Sequence, residues 1–156
     1  MTTAFYERLA TARGDSSELR SCVHECVEQL KTVGTEFNKP GMLLGKIQSG
    51  KTRAFLGTIA LAFDEGFDVA IVLTKGTKTL AKQTVQRISD DFKTFRDEDA
   101  IEVYDIMSVP SLSEWEVQEQ KLIFVVKKEY RNLERLRVLL EETQPLLLTK
   151  RTLILS

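Results

Sequence analysis

Between residues 16 and 33, Leu19, Cys22, Val23, Cys26, Val27, Leu30 and Val33 recur at spacings of three and four. That period gathers them on one face of an amphipathic helix, with Ser16 and Ser17 available to cap its start. Asn38-Lys39-Pro40-Gly41 then breaks the pattern, because proline disfavours helix in its predecessor and glycine opens a turn. A new unit is expected to start there, which divides the chain into an N-terminal helical extension (1–37) and an α/β domain (38–156).

From Met42 onward, short apolar runs alternate with helical periods. Met42-Leu43-Leu44 precedes a helix carried by Phe55, Leu56, Ile59, Ala60 and Phe63, and Val69-Ala70-Ile71-Val72-Leu73 precedes one carried by Leu80, Ala81, Thr84, Val85, Ile88 and Phe92. A strand is expected at Ile101–Ile106 and another at Leu122–Val126. Tyr130, Leu133, Leu136, Leu139 and Leu140 make the apolar stripe of a further helix, and Thr152–Leu155 a last strand. Runs so short and so uniformly apolar fit parallel strands covered on both faces, so the pattern predicts an α/β fold with a five-stranded parallel sheet flanked by helices. Val109–Gln120 is polar and acidic, and is expected to be a surface connection containing one helical turn, Trp115 packed or exposed.

Composition narrows the picture without deciding it. The chain has 156 residues, 42% hydrophobic and 29% charged, enough for one compact domain with a sizeable core. Twenty-two basic residues against 23 acidic ones leave a net charge of −1, so any site for a polyanion must be local. No apolar run approaches the roughly 18 residues that span a bilayer, and the first residues lack the basic-then-apolar order of a signal peptide. A cytoplasmic chain with no membrane partner is expected. Cys22 and Cys26 lie one helical turn apart, which suits packing in a reducing compartment rather than a disulfide framework. With His24 between them they suggest zinc, but a structural site wants four ligands and His24 is the only histidine.

Gly45-Lys46-Ile47-Gln48-Ser49-Gly50-Lys51-Thr52 satisfies the phosphate-loop pattern of glycine, four residues, glycine, lysine and serine or threonine. A chance match is expected in roughly one chain of this length in a few hundred, and a predicted strand before and helix after make accident rarer. The glycines let the backbone curl its N–H groups inward at phosphate oxygens, and the following helix adds its positive end. Lys51 would neutralise the β and γ phosphates, and Thr52 would place its hydroxyl on Mg²⁺. ATP with Mg²⁺ is the expected ligand, held by residues 45–52 with Arg53 adjoining.

Residues 74–87 carry Lys75, Lys78, Lys82 and Arg87 with no acid. With Thr74 at its head, this stretch could hold a nucleic-acid backbone by charge and hydroxyl; a solvated helix face is the plainer alternative.

The motif order resembles the first RecA-like domain of superfamily-two (DEAD-like) helicases and translocases. The residues that carry the likeness are GKIQSGKT, then VAIVLTKGTKTLAKQ, similar to motif Ia of that superfamily, then LIFVVKKEYRNLERL. Within it the chain is most similar to the Z-one domain family of helicase-like ATPases, where a glutamine precedes Ser-Gly-Lys-Thr, as Gln48 does, and a Val-Lys-Lys strand end precedes a helix, as Val126-Lys127-Lys128 does. The resemblance spans about residues 38–156 and implies a P-loop RecA-like fold, ATP hydrolysis, and a nucleic-acid partner, DNA ahead of RNA. It also places Lys127, Lys128 and Arg131 on the nucleic-acid side, although surface ion pairing would explain the charges near Glu134 as well.

One departure stands against these matches. In that family the strand matching Thr152–Leu155 is followed by the Asp-Glu pair that holds Mg²⁺ and orients water, and a second RecA-like domain supplies an arginine. The sequence stops at Ser156, so a truncation before that pair, with the second domain in cis in a longer parent, is expected. ATP binding without efficient hydrolysis follows, with Lys51 and Thr52 the catalytic candidates present. Two alternatives stay open: a self-contained small-molecule kinase with Asp105 as magnesium carboxylate, and a non-catalytic interaction module with a vestigial nucleotide site.

Overall fold

The computed structural model describes residues 4–32, 51–75, 77–109, 111–147 and 152–155. They gather into two compact units, Met1–Glu65 and Gly66–Ser156. The expected strand at Met42–Leu44, the break at residues 38–41 and the boundary at 37/38 lie outside the described residues.

The first unit is helical: α1 (Phe5–Arg13), α2 (Ser17–Thr32) and α3 (Lys51–Asp64). The helix expected over 16–33 is α2, whose Val23 and Val27 are buried and whose Cys22 and Cys26 are half-buried. The sequence reading gave no separate helix to α1. It is short, and it ends at Gly14, whose positive φ of 66° suits a glycine and lets its N–H satisfy the carbonyls of Ala10 and Thr11. Both α1 and α2 pack on α3, and Gly57 of α3 permits the approach: a Cβ there would lie 2.9 Å from Tyr6 Cε1 and from Val23 Cγ2.

The second unit is an α/β fold with a parallel sheet flanked by helices. Its strands β1 (Val69–Thr74), β2 (Ile101–Asp105), β3 (Lys121–Lys127) and β4 (Thr152–Leu155) lie in the order β2-β3-β1-β4, and every neighbouring pair is parallel. Helix α4 (Lys78–Asp91) packs on β1, β2 and β3, with the short α5 (Lys93–Asp97) beside it. On the other face, Val69, Ile71, Leu122, Phe124 and Val126 form one cluster with Val117 of α6 (Glu114–Glu119) and Leu139 of α7 (Tyr130–Leu147). Side chains alternate along a strand, so Ala70, Val72, Ile123 and Val125, all buried, belong to the α4 face. Tyr104 stacks on Phe124 on the α6–α7 face, ring centroids 5.7 Å apart, as the register Tyr104↔Phe124 requires.

Three sequence expectations change here. The connection at 109–120 holds a whole short helix, α6, started by a capping box: Ser113 Oγ accepts from Glu116 N–H, and the Glu116 carboxylate accepts from Ser113 N–H. Val117 is buried in the core while Trp115 is 55% exposed. Of the stripe assigned to α7, Leu139 is buried and Leu136 and Leu140 pack on the core, but Tyr130 and Leu133 are exposed. The helix opens just past the end of β3, where its first apolar positions have no strand to cover. Leu80, expected on the buried face of α4, is exposed for the same positional reason, in the first turn after β1.

Candidate functional site

Of the phosphate-loop residues, Gly45, Lys46, Ile47, Gln48, Ser49 and Gly50 lie outside the described residues, and Lys51 and Thr52 open α3. Lys51 and Thr52 are therefore helical, and a helix that follows a phosphate-binding loop adds its positive end to the site.

The first turn of α3 is tied to α1. Arg13 Nη2 donates to the Arg53 carbonyl at 3.1 Å, and Arg53 Nη1 donates to the Arg13 carbonyl at 3.3 Å. Arg13 also grips Asp15 with two bonds, Nε to Oδ1 at 3.1 Å and Nη2 to Oδ2 at 2.6 Å, and Tyr6 Oη donates to Asp15 Oδ2 at 3.4 Å. Burial, followed by the Asp15 charge, pushes the Tyr6 phenol up to about 12. At the far end of α3, the Asp64 carboxylate accepts from the backbone N–H groups of Phe5 and Tyr6 at 2.8 and 3.0 Å, capping α1. Two ends of α1 are thus bonded to two ends of α3, antiparallel. Arg53, assigned from sequence to the nucleotide, uses its guanidinium here on a backbone carbonyl.

In the second unit the two basic segments meet. Thr74 ends β1 in register with Lys127 at the end of β3, and Lys128 N–H donates to the Thr74 carbonyl at 2.7 Å. Thr74, Lys75, Lys127 and Lys128, read from separate stretches of sequence, therefore stand together at the carboxyl ends of adjacent strands. Beyond them Thr77 caps α4, its hydroxyl accepting from Leu80 N–H at 3.3 Å, and Lys78 and Lys82 project from the exposed side of that helix. The chain leaves β1 for α4 on one face and β3 for α7 on the other. Open α/β sheets bind ligands at such a divergence.

Charge is distributed unevenly over the two ends of the sheet. At the amino end Lys121 Nζ is neutralised by Asp68 at 2.8 Å and also donates to the Phe67 carbonyl. At the carboxyl end Lys127 Nζ meets Glu129 at 3.3 Å, and that bond holds the Glu129 carboxyl below its ordinary range. Among the described residues Lys75, Lys78, Lys82 and Arg131 have no ion pair. The ion pairing on α7 belongs to Arg137, which bonds Glu134 and Glu141, while Arg135 donates to the Met107 carbonyl. Thr74 Oγ1 is buried with no hydrogen-bond partner among the described residues.

Asp105 ends the edge strand β2, and its Oδ1 accepts from Met107 N–H at 2.9 Å, closing the turn. His24 is exposed, set edge-on to Tyr6 at 5.8 Å between centroids, and the described residues contain no group of three or more His, Cys, Asp or Glu placed to hold a metal. Burial, then the neighbouring Cys22, raises the Cys26 thiol to about 11, as expected of a packed cysteine. No described helix is long and apolar enough to cross a membrane.

Sequence reasoning passed over the Tyr6–Arg13–Asp15 cluster and the exposed ring of Tyr130. The first had a weak signal in the spacing of Phe5, Tyr6, Leu9 and Ala10; the second had none, since an aromatic at a helical apolar position reads as core. No family model, curated protein or solved structure matches this chain.

Proposed function

We propose that this chain binds ATP with Mg²⁺ through residues 45–52 and forms the RecA-like first domain of a helicase-like or translocating ATPase that acts on nucleic acid, DNA ahead of RNA. The reading is carried by one observation: residues 45–52 satisfy the phosphate-loop pattern, and its last two residues, Lys51 and Thr52, lie in helix α3. Lys51 would meet the β and γ phosphates, Thr52 would hold Mg²⁺, and backbone N–H groups of the loop would cradle the oxygens. The parallel α/β unit supports the RecA-like part of the reading, and the cluster of Thr74, Lys75, Lys127 and Lys128 supports the nucleic-acid part. A second RecA-like domain would supply the arginine that stabilises the transferring phosphoryl group.

Titration calorimetry of residues 1–156 tests this. Saturable binding of ATP that requires Mg²⁺ and disappears in Lys51→Ala is the expected result. The absence of saturable heat at millimolar nucleotide in the folded protein would overturn it and leave an interaction module.

A further inference from the structure

We propose that Tyr130 is a base-stacking platform that makes the basic carboxyl edge of the sheet a site for single-stranded nucleic acid, an inference that rests on the nucleic-acid part of the function above. Tyr130 is 80% exposed, more than any other large apolar side chain described, while Leu139 of the same helix is buried. It stands two residues beyond Lys128, whose backbone is bonded to Thr74, and one before Arg131. Tyr130 thus opens α7 at the carboxyl end of β3, the end of the sheet where Thr74, Lys127 and Lys128 stand together. Lys75, Lys78 and Arg131 have no ion pair among the described residues, so an arriving phosphate would displace no protein carboxylate from them.

An aromatic ring beside phosphate-binding cations is the arrangement by which proteins hold unpaired bases: the cations track the backbone and each ring takes one base face. A duplex keeps its bases stacked on one another and offers such a ring nothing. Tyrosine loses little conformational entropy on binding, having two side-chain torsions, so an exposed Tyr suits this role better than a flexible apolar residue. The class of ligand is a single strand read without sequence preference, because every base has a π-face.

Fluorescence anisotropy of the full chain with a labelled oligothymidylate of about 20 nucleotides, and with a blunt duplex of equal length, tests the proposal. Tyr130→Ala should weaken single-strand binding by about 5- to 150-fold and leave duplex binding unchanged, while Tyr130→Phe keeps the single-strand affinity. Lys75→Ala and Lys128→Ala should each lower the salt slope on the single strand by about 0.7. Unchanged single-strand binding in Tyr130→Ala, or equal wild-type affinity for duplex, overturns the stacking role; losses in the two lysine variants would then still support the nucleic-acid function. No binding of either form overturns both, and Mg-ATP calorimetry on the same preparation reports the nucleotide site separately. If Tyr130→Ala abolishes self-association in sedimentation and leaves the oligonucleotide affinity intact, the ring belongs to a protein contact and the proposal fails.

Discussion

Arg13 and Arg53 hold each other's main chain, each guanidinium donating to the carbonyl of the other residue. The bond pair sets the end of α1 against the first turn of α3, and the same Arg13 neutralises Asp15, whose side chain is fully buried. Removing the arginine leaves that carboxylate without its counter-ion. Arg13→Ala should therefore destabilise the protein by about 3–5 kcal/mol in urea unfolding. Arg13→Lys should recover only part of this, since an ammonium cannot make the two-bond grip or reach Arg53 at the same time.

Gly57 sits inside a helix, where alanine would ordinarily add about 1 kcal/mol of stability. Here the new methyl would meet Tyr6 and Val23 at 2.9 Å, and both are buried and cannot swing aside. Gly57→Ala should lower stability by about 1–3 kcal/mol despite the gain in propensity, read as an earlier urea midpoint with an unchanged slope.

Alkali should unfold the protein by a route that two phenols set. Burial is the first cause that raises both Tyr6 and Tyr104 to about 12, joined by Asp15 for Tyr6 and by Glu116 and Glu102 for Tyr104. In the unfolded chain each ionises near its ordinary value of 10. The native state therefore keeps its phenolic protons longer, and the stability linked to them is whole below about pH 10 and lost as pH rises toward 12. Phenolate absorbance should show these two groups titrating late and together with unfolding, and Tyr6→Phe should flatten the alkaline fall in stability.

Ser113→Ala removes the hydroxyl of the α6 capping box and leaves Glu116 N–H without its partner. A loss of about 1 kcal/mol is expected, with faster hydrogen exchange confined to α6 and the turn before it. A global change in exchange across β1 and β3 would contradict a local cap.

The elements legible in the sequence were those with a strong local period. Val69–Thr74, Ile101–Asp105, Lys121–Lys127 and Thr152–Leu155 are strands as the apolar runs predict, and α2, α4 and α7 follow their stripes within a few residues. Where the pattern misled, the cause was context. Tyr130 and Leu133 satisfy the period of a buried face yet overhang the end of β3, and Val117 lies in a polar acidic stretch yet fills the core. The Ser113 to Glu116 spacing was the available sign of α6, and it is a statement about a helix start rather than about burial.

Of the candidate site, the sequence alone determined the phosphate-loop pattern and the two basic segments, because residue type and short spacing are local properties. Tertiary structure alone decided that Thr74 and Lys75 stand beside Lys127 and Lys128, and that α1 clamps α3 at both ends. Strand order β2-β3-β1-β4 depends on which apolar faces can be covered at once by α4 on one side and α6 with α7 on the other. That is a global condition on burial, and no window of neighbouring residues contains it.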